Sequence, residues 1–279
     1  MAVVDYDTPA SVQVSLMIVG DSISHGSSGD WTWRYRLWKH LRACGVEVDF
    51  VGPYKTLDNI RTEETGDGDD TYADAAFDKD HAAKWGQPYV VAKTLVREQV
   101  AAHRPDFVLV LLGINDIVWY DATPDELEAH LREFIANARA GHHAVRLVLG
   151  TVLETARATA DFAFARRVAK CNDRIRAVAA ELRRPLSPVE VADTAVEFTA
   201  AEHTWDDTHP NPNGEIRIAA AFADVLAHRF HLGTPFPRPY PVFDTIRPEA
   251  KAPVHVDTAH DAGLTGLTGH DDPRGARAL

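Results

Sequence analysis

The chain has 279 residues, of which 45% are hydrophobic and 25% are charged, and its formal net charge is -12. This length and composition fit one large domain, or one domain with a tail, that buries a core without disulfide staples. The negative charge argues against surfaces that bind phosphate, nucleic acid or anionic membranes. The two cysteines form no metal-binding pattern and are expected to be free thiols, with a disulfide as the alternative. The N-terminus lacks the basic and apolar regions of a signal peptide, so we expect a cytoplasmic protein with no integral membrane association.

Hydrophobic periodicity predicts strands that alternate with helices along most of the chain. In chain order the predicted elements are a strand over about 12–20, a helix over 31–44, a strand over 46–51, a helix over 88–103, a strand over 107–112, a helix over 124–140, a strand over 145–152, a helix over 162–182, a strand over 186–191 and a helix over 215–230. This alternation predicts a parallel sheet with helices on both faces, a three-layer α/β/α fold of the flavodoxin-like kind.

Two segments depart from this alternation. Residues 55–87 show little periodicity and many acidic side chains, which indicates a lid or a substrate-facing insertion. The run 67–71 faintly resembles a calcium loop, but the required glycine and the terminal glutamate are missing from their places, so solvated acidic residues are predicted there. We predict one domain over 1–231 and a Pro- and Gly-rich arm or tail over 232–279, with packing on a partner subunit in a homo-oligomer as the alternative.

Three polar motifs lie at positions where an α/β sheet places its ligands. Gly20-Asp21-Ser22 ends the first strand, which predicts a strand-to-helix turn that exposes the Ser22 hydroxyl beside free backbone N–H groups. The alternative is that Ser22 only caps the helix. Asn115 follows the carboxyl end of the strand over 107–112, at the edge where such sheets bind ligands.

The third motif contains Asp206 and His209, three residues apart in a turn before the last predicted helix. This spacing lets a carboxylate hold the imidazole Nδ1 and leaves Nε2 free to take a proton from a serine. For an isolated Asp-x-x-His, an ordinary loop histidine with a capping aspartate is the better interpretation. The other two motifs decide in favour of a joint site.

Taken together, the motifs resemble the blocks of the GDSL/SGNH hydrolase family. Gly20-Asp21-Ser22-Ile23 resembles Gly-Asp-Ser-Leu with isoleucine for leucine, Gly113-Ile114-Asn115-Asp116 matches Gly-x-Asn-Asp, and the segment 206–210 matches Asp-x-x-His-Pro. The resemblance implies ester hydrolysis through an acyl-serine intermediate, with Ser22 as nucleophile, His209 as general base and then acid, and Asp206 as its orienting partner.

The resemblance also implies an oxyanion hole built from the Ser22 backbone N–H, the Asn115 side chain and a glycine. Gly86 is the predicted glycine because it precedes a helix N-terminus, and Gly66 and Gly68 are the alternatives. No metal or organic cofactor is implied. The absence of Gly-x-Ser-x-Gly argues against the α/β-hydrolase arrangement.

The expected partner is a small-molecule ester, neutral or cationic because the insertion is acidic, with no nucleic acid involved. Asp21, Trp119 and Tyr120 are predicted to contact it, although packing is an equal interpretation for Trp119 and Tyr120. Three alternatives remain open at this stage: an acyltransferase that uses the same acyl-enzyme, a deacetylase of a sugar or natural product, and a non-catalytic binding module.

Overall fold

The computed structural model describes residues 13–59, 72 and 74–243. Its centre is a parallel sheet whose strands are β1 (Gln13–Gly20), β2 (Glu47–Phe50), β3 (Ala82–Ala83), β4 (Phe107–Leu111), β5 (Arg146–Gly150) and β6 (Val189–Ala192). The strand order is β2-β1-β4-β5-β6, and β3 extends the edge by pairing with the end of β1. The order reverses between β1 and β4, which is where a flavodoxin-like sheet opens a ligand-binding crevice.

The burial of each strand follows its place in the sheet. All five residues of β4 are apolar and buried, because helices cover both faces of this central strand. In β2, which lies at the edge, buried Val48 and Phe50 alternate with exposed Glu47 and Asp49. The central strands therefore give uninterrupted apolar runs in the sequence, whereas the edge strand gives an alternating one.

Helices cover the two faces of the sheet. In chain order they are α1 (Ser22–His25), α2 (Thr32–Ala43), α3 (Tyr89–His103), α4 (Ile114–Val118), α5 (Pro124–Gly141), α6 (Ala156–Ala160), α7 (Phe162–Leu182), α8 (Ala200–His203) and α9 (Pro212–Phe230). On one face α2 packs against α9, where the rings of Trp33 and Phe222 stack with centroids 4.7 Å apart. On the other face α5 packs between α3 and α7. The predicted three-layer α/β/α fold is confirmed.

Several short elements were not predicted, namely β3, α1, α4, α6 and α8. The last helix also begins three residues earlier than expected, at Pro212. Asn211 causes this early start, since its side chain accepts hydrogen bonds from the N–H groups of Asn213 and Gly214. Pro212 then occupies the first helical position, where its missing N–H costs nothing.

The segment 232–243 lies along α9. The Phe236 N–H donates to the Asp224 carboxylate at 2.7 Å, and Asn213 exchanges two hydrogen bonds with the Phe243 backbone at 2.9 and 3.0 Å. The proposed division of the chain at 231/232 stays a prediction. Residues 244–279, the run 67–71, Gly66 and Gly68 lie outside the described residues.

Two further findings concern the described part of the chain. Cys44 and Cys171 are both unpaired thiols, as expected. No helix within the described ranges has the length and apolar character needed to cross a membrane.

Candidate active site

Ser22 lies at the start of α1, immediately after β1. Asp21 is the N-cap of this short helix and accepts a hydrogen bond from the Ile23 N–H at 3.0 Å. The turn is tight, because a Cβ at Gly20 would lie 2.2 Å from the Ser24 hydroxyl. Ser22 is therefore presented by a compact turn at the carboxyl end of the sheet.

Asp206 and His209 occupy the loop between α8 and α9. One carboxylate oxygen of Asp206 accepts hydrogen bonds from the N–H groups of His209, at 2.8 Å, and Thr208, at 3.2 Å. The other oxygen lies 2.9 Å from Nδ1 of His209. Burial alone would raise the pKa of Asp206, but the hydrogen bonds from His209 and Thr208 outweigh it and hold that pKa below its ordinary value. Asp206 is thus an ionised acceptor that orients the imidazole.

The opposite side of the same imidazole faces the serine. Nε2 of His209 lies 2.9 Å from the hydroxyl oxygen of Ser22. Because the Asp206 carboxylate can only accept, Nδ1 carries the ring proton and Nε2 accepts the hydrogen bond from the Ser22 hydroxyl. The structure thus places the three residues predicted as nucleophile, base and orienting acid in one hydrogen-bonded line.

Asn115 and Gly86 lie in the segments that follow β4 and β3, next to the line Asp206–His209–Ser22. Asn115 is buried in α4, and its amide donates to the Gln87 carbonyl at 3.5 Å, a long hydrogen bond. Gly86 follows β3 with a φ of +71°, a left-handed conformation that suits glycine. Among the described residues no acceptor pairs with the Gly86 N–H. Both groups are therefore weakly engaged donors near the turn that carries Ser22.

The three residues predicted to contact substrate differ in their exposure to solvent. Asp21 is 1% exposed and its carboxyl caps α1, so we assign it to the serine turn and not to substrate binding. Trp119, at the end of α4 one turn beyond Asn115, is 55% exposed. Tyr120 beside it is half-buried. Of these three residues, Trp119 alone offers a large exposed aromatic surface.

Trp85 is a site residue that the sequence analysis missed. Its ring stacks on the His209 imidazole with centroids 4.7 Å apart and planes 24° apart. Its backbone N–H donates to Nδ1 of His25 at 3.2 Å. Burial, assisted by the charge of Arg34, lowers the pKa of His25 to about 4, so His25 is a neutral acceptor. The only available signal was the position of Trp85 directly before Gly86.

Acidic and hydroxyl groups line the depression beside the serine. Ser22 and His209 share it with Ser27, Asp30, Thr32 and Glu215, and Ile23, Gly26 and Pro210 complete the lining. Asp58, whose backbone binds the Gly26–Ser28 turn, lies nearby. Burial raises the pKa of Asp58, and the proximity of His209 opposes this shift. The surroundings of the serine therefore combine hydroxyl and acidic groups with a small apolar part.

The sequence profile of the GDSL-like lipase/acylhydrolase family matches residues 18–215. The chain belongs to this family. Membership makes it a carboxylic ester hydrolase of the GDSL type, and the matched region contains all three motifs. A search of curated protein sequences gave no match.

Solved structures of other esterases share the GDSL fold. A family 3 carbohydrate esterase from Talaromyces cellulolyticus is 24% identical, covering 78% of this chain and 98% of that one, with a TM-score of 0.64. The family 3 carbohydrate esterase of Clostridium thermocellum is 20% identical, with 79% and 100% covered and a TM-score of 0.60. A variant of an acetyl xylan esterase from Geobacillus stearothermophilus is 19% identical, with 82% and 98% covered and a TM-score of 0.56.

Proposed function

We propose that this GDSL hydrolase cleaves its ester through an acyl-serine intermediate. The observation that carries the proposal is the line Asp206–His209–Ser22, with 2.9 Å at each of its two side-chain contacts. Ser22 Oγ attacks the ester carbonyl carbon while its proton passes to Nε2 of His209. Asp206 stabilises the imidazolium that forms.

The negative charge that develops on the carbonyl oxygen needs donors. We assign this role to the backbone N–H groups of Ser22 and Gly86 and to the Asn115 amide. The tetrahedral intermediate then collapses, the alcohol leaves with the proton held by His209, and the acyl group stays on Ser22. Water attacks this acyl-enzyme, again with His209 as base, and releases the acid and free Ser22.

For the substrate we propose a short acyl ester of a polar alcohol, such as an acetylated sugar. The hydroxyl groups around Ser22, together with the acidic Asp30 and Asp58, favour a polar and neutral or cationic ligand over a long lipid chain. The exposed ring of Trp119 offers a platform on which a sugar can pack. The names of the carbohydrate esterases that share the fold agree with this class.

The mechanism is tested with p-nitrophenyl acetate and the variants Ser22→Ala and His209→Ala. Both should lose nearly all turnover while melting within a few degrees of the wild type. Wild-type Ser22 should also be labelled by a fluorophosphonate. Absence of both turnover and labelling in the wild type would instead indicate a binding protein.

The substrate class is tested by varying the length of the acyl chain, the charge of the ester and the alcohol available to accept the acyl group. Turnover should fall steadily from p-nitrophenyl acetate to the octanoate, and an acetylated xyloside should outperform an anionic acetyl ester at low salt. Equal rates on the anionic ester would contradict the proposed charge preference. Formation of a new ester when an alcohol is added, in place of free acid, would identify an acyltransferase.

A further inference from the structure

The segment 84–89, which contains Gly86, is held by contacts on two sides. One side is the end of β1 and α1, which carries Ser22, and the other is α4, which carries Asn115. On the Ser22 side it is anchored firmly, since the Lys84 N–H donates to the Gly20 carbonyl at 3.0 Å. The hydrogen bond from Trp85 to His25 adds to this anchor. The Gln87 side chain donates a longer hydrogen bond to the same Gly20 carbonyl at 3.4 Å. The distance between the Gly86 N–H and Ser22 therefore depends on these anchors and on how the other end of the segment is held.

At that other end, two consecutive residues of α4 hold the segment. The Asn115 amide meets the Gln87 carbonyl at 3.5 Å, whereas the Tyr89 N–H donates to a carboxylate oxygen of Asp116 at 2.8 Å. The Asp116 contact is the stronger one, because it is shorter and its acceptor is charged. It is also the one that stays when the Asn115 amide turns to an oxyanion.

Asp116 caps a helix to which it does not belong. Pro88, the N-cap of α3, supplies no side-chain acceptor for the first N–H groups of that helix. The Asp116 carboxylate, from α4, takes this role and also meets the positive end of the α3 dipole. The Asp116 side chain therefore joins the start of α3 to α4, the helix that carries Asn115.

Stability alone does not account for a carboxylate at this position. Asp116 is 1% exposed, and within the described ranges its second oxygen has no hydrogen-bond donor. Nδ1 of His130 lies 3.7 Å from this oxygen, within ion-pair range but too far for a hydrogen bond, and it likewise has no hydrogen-bond partner. Burial of a half-satisfied carboxylate is costly, and an asparagine would cap α3 without that cost.

We propose that Asp116 is a positioning residue of the oxyanion hole. By holding the Tyr89 N–H, it keeps the segment 84–89 at the distance from Ser22 at which the Gly86 N–H can donate to the oxyanion. The inference rests on the proposed function, because it assumes that an oxyanion forms at Ser22. Since the oxyanion exists only after attack, loss of the contact should lower kcat and leave KM nearly unchanged.

The test compares Asp116→Ala and Asp116→Asn with a matched control, Asp161→Ala. Asp161 caps α7 by accepting from the Phe164 N–H at 2.9 Å, so its removal also deletes a helix cap, but one whose side-chain hydrogen bonds, from Phe164 and Arg157, do not involve the segment 84–89. With p-nitrophenyl acetate, Asp116→Ala should lose about 10- to 100-fold in kcat, with KM within twofold, because misplaced groups cost up to about 100-fold. The affinity for a phenylboronic acid, which forms a tetrahedral adduct on serine, should fall in parallel.

Asp116→Asn separates positioning from folding. Its amide oxygen still accepts from Tyr89 and its NH2 faces His130, so its melting temperature should equal or exceed that of the wild type. Its kcat should fall about 3- to 10-fold, since the neutral acceptor holds the segment less firmly. A rate that rises or falls with stability across the three variants overturns the proposal, and so does a kcat of Asp116→Ala equal to that of Asp161→Ala.

Amide hydrogen exchange tests the contact without any substrate. Exchange of the amides in segment 84–91 should accelerate at least tenfold in Asp116→Ala and stay at the wild-type rate in Asp161→Ala. Unchanged exchange in Asp116→Ala overturns the proposal even if activity falls. If the wild type neither turns over esters nor labels at Ser22, the proposed function fails, and the exchange result still shows whether Asp116 holds the segment.

Discussion

The substitution Asp21→Asn should make the stability of this GDSL hydrolase less sensitive to pH. Asp21 is fully buried beside the nucleophile, and burial raises its pKa from the ordinary value of 3.8 to about 7. The hydrogen bond from the Ile23 N–H and the charge of His209 oppose the shift, whereas the charge of Asp116 adds to it. Asparagine keeps the N-cap hydrogen bond and removes the titration.

The direction of this pH dependence follows from proton binding. The folded protein holds the Asp21 proton more tightly than the unfolded chain does, so this contribution to stability is complete below about pH 3.8 and is lost as the pH rises to about 7. One pKa unit corresponds to about 1.4 kcal/mol, so the whole shift corresponds to at most about 4 kcal/mol. Over the accessible range from about pH 5 to pH 8, we expect a change of about 3 kcal/mol.

The measurement is urea unfolding of the wild type and Asp21→Asn at about pH 5 and pH 8. The unfolding free energy of the variant minus that of the wild type should be about 3 kcal/mol larger at pH 8 than at pH 5. Asp161→Asn is the control, because the hydrogen bond from Phe164 lowers the pKa of this half-exposed cap and its titration lies below the range measured. A difference between wild type and Asp21→Asn that is independent of pH would mean that Asp21 is ionised throughout and would refute the reasoning.

Three further substitutions separate chemistry from packing. Asn115→Ala should lower kcat for p-nitrophenyl acetate by about 100- to 1,000-fold with little change in KM, since one oxyanion donor is removed. Asp206→Asn should lower kcat by about 10,000-fold at an unchanged melting temperature, because the amide favours the wrong imidazole tautomer. Trp33→Ala should cost about 3–5 kcal/mol in urea unfolding, as the fully buried ring stacks on Phe222. Activity losses without these kinetic signatures, or a Trp33 variant as stable as the wild type, would contradict the respective assignments.

The sequence was sufficient to predict five of the six described strands, mainly because the central ones are buried. Strands such as β1 and β4 give apolar runs that end abruptly at polar motifs, so both the strands and the rim residues Ser22 and Asn115 could be found. The pair Asp206 and His209 could be predicted for a different reason: both residues lie within one tight turn, where spacing determines contact. These parts of the fold are encoded locally.

Other features arise only when distant segments meet. Trp85 lies in the loop after β3 and His209 in the loop before α9, and no periodicity in the sequence predicts that their rings stack. The burial of Asp21 depends on the packing around the serine turn, whereas in the sequence it is a polar residue beside a nucleophile. Short elements such as β3 and α4 contain too few residues to show a period.

The packing of α2 against α9 determines how His209 meets Ser22. The serine turn leads into α2, and the loop with His209 leads into α9, so the two groups approach each other only as closely as their helices allow. Glu215, buried in α9, joins these helices, since its carboxylate accepts from the Thr32 N–H at 3.0 Å and pairs with Arg36 at 3.1 Å. Thr32 adopts a φ of +67°, which is costly for a β-branched residue and requires such a contact to hold it. The base and the nucleophile are therefore aligned by the α2–α9 contact as well as by their own hydrogen bond.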